Sequence, residues 1–266
     1  GDYILSGTWS KKAIGEAAKI IKVNTIATSE GKNFSYAPDY KDWPISDNAA
    51  YVHYCPNETI QGVAYHEIPN INKPLIADAS SVILSEPLDV NKFSLIYAGA
   101  QKNIGPAGLT IVIIDRDFME YGNPNIPNIL KYSEHSLSES MLNTPPTFAW
   151  YMAGKVFKWI KDSGGLDYFK TQNHKKASKL YEFIDNSSFY SNNVDSVNRS
   201  IMNVPFLLAN DDLDKTFLSE AEDNELINLK GHRSVGGMRA SIYNAMPLEG
   251  VEELIKFMEH FESSYG

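Results

Sequence analysis

Leu95-Ile96-Tyr97-Ala98-Gly99-Ala100-Gln101-Lys102-Asn103-Ile104-Gly105-Pro106-Ala107-Gly108 is the stretch that decides the fold. A continuous apolar run, of the kind expected for a strand buried on both faces, enters a group of small residues. One lysine follows, then a Gly/Pro turn, then a second strand candidate at 109–114. The short neighbours of Lys102 leave its amine open to a bulky group. Upstream, the strand-like Leu75-Ile76-Ala77 ends on Asp78. Ligands of open α/β sheets bind beyond the carboxyl ends of strands, and Asp78 and Lys102 both fall at such ends.

Working outward, further short apolar runs at 3–5, 23–27, 50–54, 75–77 and 93–97 read as strands. Residues 10–21 read as a helix, with Ala13, Ile14, Ala17, Ala18 and Ile21 on one face. Strands alternating with helices predict an α/β fold with a mainly parallel sheet. The second half differs. Helices are predicted at 148–161 and 166–183, separated by Ser163-Gly164-Gly165, and again at 213–225 and 248–261, with one strand at 203–208. This predicts a large domain over 1–163 and a smaller α+β domain over 164–266.

The chain has 266 residues, 43% of them hydrophobic, and a formal net charge of −9. That supports a sizeable core and argues against non-specific nucleic-acid binding, which needs a basic footprint. No apolar run is long enough for a membrane span. The single cysteine, Cys55, can form no intramolecular disulfide, which fits a reducing compartment. A cytoplasmic location is expected, with room for an organellar transit peptide on a longer precursor. Cys55 lies in an apolar stretch and reads as buried and inert. His53, His66, His135 and His174 have no metal-ligand spacing, so no metal site is predicted.

Asp78 and Lys102 together suit pyridoxal-phosphate chemistry. The lysine would form an imine with the cofactor aldehyde, and the aspartate would keep the pyridine nitrogen protonated. Spacing alone leaves two other readings open. Asp78 could cap a helix, and Lys102 could be a solvated turn lysine.

The order of the blocks closes that choice. Ala98-Gly99-Ala100-Gln101-Lys102-Asn103 resembles the lysine motif of the phosphoserine aminotransferases. Gly7-Thr8-Trp9-Ser10, Asn57-Glu58-Thr59-Ile60, Ala77-Asp78-Ala79-Ser80-Ser81, Asn143-Thr144-Pro145-Pro146-Thr147 and the run from Lys230 to Ser241 follow the same family pattern in the same order. The resemblance covers essentially the whole chain.

It implies a pyridoxal-phosphate-dependent transferase of fold type I, with a mainly parallel, seven-stranded type of sheet. Lys102 would be the imine lysine and proton carrier, Asp78 the partner of the ring nitrogen, and Trp9 the stack on the ring face. Thr59 and Gln101 would touch the cofactor's oxygen and phosphate regions. Asn143 and Thr144 would reach the phosphate of a second subunit, which implies a homodimer with shared sites. Arg239 would take the substrate carboxylate, with His232 and Arg233 on the substrate phosphate side. Without the resemblance, Trp9 reads as a core residue, Thr59 as a turn or cap hydroxyl, Gln101 as a surface amide, Asn143-Thr144 as a helix lead-in, and His232-Arg233 as a surface turn.

The implied reaction exchanges an amino group between glutamate and 3-phosphohydroxypyruvate, giving phosphoserine and 2-oxoglutarate in serine biosynthesis. A related phosphorylated keto acid of vitamin B6 synthesis would suit the same basic cluster. The family pattern begins earlier than Gly1, and its Gly-rich phosphate loop and a further His-Arg pair have no counterpart here. The expectation is therefore an N-terminally incomplete large domain, from a truncated enzyme or from a naturally short, non-catalytic, dimer-forming or binding homologue.

Overall fold

A computed structural model describes residues 1–266. The first half runs β1 (Asp2–Leu5), α1 (Thr8–Ala17), β2 (Asn24–Thr28), β3 (Val52–Tyr54), a small hairpin of β4 (Asn57–Glu58) and β5 (Val63–Ala64), β6 (Leu75–Asp78), β7 (Leu95–Gly99) and β8 (Thr110–Ile114). Six of these strands form one sheet in the order β2-β1-β3-β6-β7-β8. Every neighbouring pair is parallel except β7 with β8. The observed sheet is thus mainly parallel, with six strands from this chain where the resemblance implied a seven-stranded type. The tight Lys102 turn joins β7 directly to β8, and so short a link permits only antiparallel pairing.

Helix α1 starts two residues earlier than the apolar spacing predicts and stops at Ala17 instead of Ile21. Its start is fixed from outside: the Glu58 carboxylate accepts the N–H groups of Trp9 and Ser10, each at 2.8 Å. Its end is set by a lack of apolar partners. Ile20 is 87% exposed, and no core face reaches it before the chain must turn into β2.

After β8 come α2 (Arg116–Met119), α3 (Tyr132–Leu137), α4 (Thr147–Asp162) and α5 (Gly165–Asn186). The remaining elements are β9 (Tyr190–Ser191), β10 (Asn203–Leu208), α6 (Asp214–Asp223), β11 (Met238–Ser241) and α7 (Leu248–Tyr265). Strands β9, β10 and β11 form an antiparallel sheet in the order β11-β10-β9. Buried side chains fall into two main cores. One gathers Ile4, Val52, Tyr54, Leu75, Ile96 and Ile104 around the parallel sheet. The other packs Leu180, Phe206, Phe217, Met258 and Phe261 between the second sheet and its helices.

The seam between the cores is polar. The Asn103 side chain donates to the Ile83 carbonyl at 3.0 Å and accepts the Asn244 N–H at 3.0 Å. Asn173 donates to Asn244 Oδ1 at 2.8 Å and to the Ser85 carbonyl at 2.9 Å. Lys176, fully buried on α5, donates to the carbonyls of Ile242, Tyr243 and Met246 at 2.8–2.9 Å. Burial pushes its ammonium pKa down to about 8. Of these side chains only Asn173 leaves a buried oxygen, Oδ1, without a partner; buried donors paired in this way specify one arrangement, because any shift strands them away from water. The seam therefore fixes the turn after β11 against the turn after β7.

Candidate active site

The parallel sheet delivers Asp78 and Lys102 side by side, since β6 and β7 are paired neighbours with Asp78 opposite Tyr97. Beyond Gly99 the chain folds back tightly: the Ala100 carbonyl accepts the N–H groups of Lys102, Ile104 and Gly105. That turn turns the Lys102 side chain inward. Its Nζ donates to Thr59 Oγ1 at 2.6 Å and lies 5.7 Å from the centre of the Trp9 ring. This is not a solvated turn lysine. Burial holds its pKa below the ordinary lysine value, the Asp78 charge opposes that shift, and the Arg239 charge adds to it. An amine so placed is easier to free of its proton while still near a carboxylate.

Asp78 does not cap a helix, because the residues after it form turns. Its Oδ1 accepts the Ser80 N–H at 3.1 Å and the Ser80 hydroxyl at 2.6 Å. Trp9 is not a core residue: 38% of it is exposed, and lysine amines, of Lys12 and Lys102, approach its ring. Thr59 is buried, and its hydroxyl faces Lys102. Gln101 is exposed, and its amide folds back against Gly99.

Arg239 lies on β11, opposite Pro205 of β10. Its Nε is buried and has no partner within the chain. A buried guanidinium N–H left unpaired is costly, and an anion is the ordinary remedy. His232 and Arg233 lie on the loop before β11, which closes through Gly236 and Gly237 at φ of 80° and 56°. His232 Nδ1 lies 2.7 Å from the Ser234 hydroxyl and 3.3 Å from the Ser234 N–H, and Nε2 has no partner within the chain. Both residues line a cleft of about 900 Å³ shared with Thr8, Lys11, Lys32 and Gln61. One acid, Glu30, lines it too, paired with Lys11 at 2.6 Å.

The structure therefore gathers Trp9, Thr59, Asp78, Lys102 and Arg239, and sets His232 and Arg233 on the adjoining cleft. It does not bring Asn143 and Thr144 to Lys102. Both are exposed before α4, and the Asn143 amide reaches only the Thr144 carbonyl. Several participants were not foreseen. Glu58 caps α1 beneath Trp9. Gln61 brackets Thr8, accepting its N–H at 3.1 Å and donating to its hydroxyl at 2.7 Å. His53, set aside as a metal ligand, is buried beside Asp78 and bonds Tyr97 Oη at 2.9 Å. Only a period-two reading of β3, with His53 on the same side as Asp78, could have signalled it. Cys55 is buried, and burial pushes its thiol well above the ordinary range.

Residues 5–254 match the family model described as aminotransferase class-V. The chain belongs to that class. It is 54% identical over 261 residues to a phosphoserine aminotransferase of Hahella chejuensis, covering 98% of this chain and 72% of the relative. A solved phosphoserine aminotransferase from Bacillus circulans subsp. alkalophilus superposes with a TM-score of 0.97 at 46% identity, covering 100% of this chain and 74% of that one. A phosphoserine aminotransferase from Trichomonas vaginalis, described as bound to PLP, gives 0.92 at 40% identity, covering 97% and 74%. Within the class, the chain belongs to the phosphoserine aminotransferase family, and it spans about three quarters of the length of these relatives.

Proposed function

We propose that this chain carries out pyridoxal-phosphate-dependent transamination between glutamate and 3-phosphohydroxypyruvate, yielding phosphoserine and 2-oxoglutarate. The observation that carries the reading is the Lys102 amine, depressed by burial and set among Thr59, Asp78, Trp9 and Arg239.

The residues fit the cofactor. Trp9 offers a partly exposed indole, with the Lys102 amine 5.7 Å from its ring centre. Asp78 has one carboxylate oxygen taken by Ser80 and a second with no hydrogen-bond partner in the chain, suited to a protonated ring nitrogen. Lys102 would hold the aldehyde end, and Thr59 an oxygen beside it. When bound, the cofactor supplies an electron sink that lets a proton leave the substrate α-carbon. Lys102 would take that proton and return it, a task for an amine whose pKa lies nearer neutrality than usual. Arg239 would fix the α-carboxylate in a two-point fork, setting the α-carbon before the Lys102 amine. His232 and Arg233 would hold the distal anionic group from the neighbouring cleft, where Lys32 adds positive charge and Lys11 is paired with Glu30.

A homodimer is part of the proposal. The segment bearing Asn143 and Thr144 leads into α4, where Phe148 is 72% and Tyr151 60% exposed. Exposed aromatics in a row suit a protein interface. A cytoplasmic setting is proposed from the single buried thiol. No helix is long and apolar enough to cross a membrane.

The test is an absorption spectrum of the chain with added pyridoxal phosphate, before and after glutamate, alongside Lys102→Ala. A visible band that shifts with glutamate and is lost in the variant is the expected result. A variant that keeps the band and turns over normally would overturn the assignment.

A further inference from the structure

The hairpin of β4 and β5 serves the Lys102 side of the site. Glu58 caps α1 beneath Trp9, Thr59 accepts the Lys102 amine, and Gln61 brackets Thr8. Asn57, at the start of the same hairpin, links it to the second sheet. Its Nδ2 donates to Ser81 Oγ at 2.8 Å and to Asn203 Oδ1 at 3.0 Å. Asn203 is fully buried on β10, and its Nδ2 donates to Tyr243 Oη at 3.0 Å and to Ser241 Oγ at 3.3 Å. Both ends of this buried amide are bonded, one to the hairpin and the other to β11 and the turn after it.

Strand β11 is the one that bears Arg239. Asn203 stands opposite Ser241 and Pro205 opposite Arg239 in the β10–β11 pairing. Side chains alternate along a strand, so Arg239 and Ser241 share a face, the one that Asn203 bonds. The hairpin turn is pressed against the same stretch of β10. The Gly62 carbonyl accepts the Ser200 N–H at 2.9 Å. Gly62 has φ of 71°, and a Cβ there would stand 2.3 Å from Pro205 Cδ and 2.8 Å from the Asn203 carbonyl oxygen. The fit leaves no room for a methyl group directly behind the partner of Arg239. Arg239 Nε is itself buried, so the side chain cannot make up a shift of its strand by swinging through solvent.

We propose that Asn203 is a positioning residue for the reaction: its amide, bonded to Asn57 on one side and to Ser241 and Tyr243 on the other, sets Arg239 at a fixed place relative to the Lys102 amine. The role is exerted through β11 and not by contact with substrate. A buried amide suits it, because a slide of β10 and β11 along the hairpin would strand its donors and its acceptor away from water. Without the amide only packing at Gly62 and one backbone bond hold the hairpin to β10 here. The α-carboxylate would then be gripped over a range of positions, and fewer of them would set the α-carbon before the amine. This inference rests on the reading of Arg239 as the grip on the carboxylate, and its failure is separable from the failure of that reading.

The experiment is a double-mutant cycle on Asn203→Leu and Arg239→Lys in the holoenzyme, with kcat and KM for glutamate measured beside a spectroscopic cofactor titration. Leucine keeps the volume of the buried amide and removes all of its side-chain bonds. Asn203→Leu is expected to lower kcat/KM about tenfold, mainly through KM, with cofactor affinity unchanged. In the Arg239→Lys background the same substitution is expected to cost less than about twofold, because a residue acting through Arg239 has little left to act on. An equal loss in both backgrounds would overturn the proposal, as would an unchanged kcat/KM in Asn203→Leu. A fall in cofactor affinity that matches the fall in kcat/KM would place the effect at Lys102 and overturn it too. If Asn203→Leu does not fold, Asn57→Ala enters the same cycle: it removes the donor to Asn203 and leaves the backbone carbonyl to which Ser81 donates. Coupling to Arg239→Lys supports the proposal there, and independence overturns it. An unchanged kcat/KM in Arg239→Lys alone would show instead that the carboxylate reading has failed, and the inference falls with it.

Discussion

Glu58 holds Trp9 by the backbone: one oxygen of its buried carboxylate accepts the Trp9 N–H and the other the Ser10 N–H, both at 2.8 Å. A carboxylate at the start of α1 meets free N–H groups and the positive end of the helix dipole. Burial nonetheless raises its pKa, and the bonds to Ser10 and Trp9 pull the other way. The contact requires Gly7, since a Cβ there would stand 2.5 Å from the Glu58 side-chain carbon. Thus β4, in a hairpin, decides where the indole stands relative to Lys102.

Glu58→Gln should loosen that anchor. An amide can accept at one oxygen only, so one of the two N–H groups is left facing a donor. A loss of about 1 kcal/mol in stability is expected, the usual worth of a helix cap. Cofactor affinity should fall about tenfold, or about 1.4 kcal/mol. Thermal melts and a spectroscopic cofactor titration measure the two, and an unchanged dissociation constant would remove Glu58 from the positioning of Trp9.

Arg239→Lys tests the fork. The lysine keeps the charge but loses the planar pair of donors, and the buried position of Nε becomes empty of its N–H. The ratio kcat/KM for glutamate should drop by about 10- to 100-fold, or about 1.4–2.8 kcal/mol. Steady-state kinetics check it, and a drop of less than about twofold would mean that Arg239 does not grip the carboxylate.

His53 should make the protein acid-sensitive. It is 3% exposed, stacked between Tyr3 and Tyr97, with Nδ1 unpartnered. Burial lowers its pKa from 6.5 to about 4, and the Asp78 charge resists the change. Between those values the unfolded chain binds a proton that the folded chain does not, so stability falls as the pH drops through the window. The slope from this one group is at most about 1.4 kcal/mol per pH unit. Urea denaturation at several pH values should show that slope reduced in His53→Gln, and an identical slope would acquit His53.

The parallel sheet was legible because its strands are continuous apolar runs, and a strand buried on both faces has few other compositions. The ends of α1 were not legible. Spacing extended it to Ile21, but Ile20 and Ile21 find no partner, and its true start depends on Glu58, about fifty residues away. Asp78 and Lys102 stood out because each follows a readable strand. Tyr243, Asn203 and Lys176 gave no such signal, since an isolated polar residue reads as surface until its neighbours are known.

The sequence by itself determined the element types, the lysine turn and the family, because apolar period, glycine placement and ordered motifs are local properties of the chain. Only the tertiary structure decided that Trp9 is half exposed over Lys102 and that Arg239 carries an unpaired buried donor. It also decided that asparagines and a buried lysine weld the two cores. Those facts depend on which desolvated groups meet across the seam, and hydrogen-bond satisfaction between segments up to about 160 residues apart has no local signature.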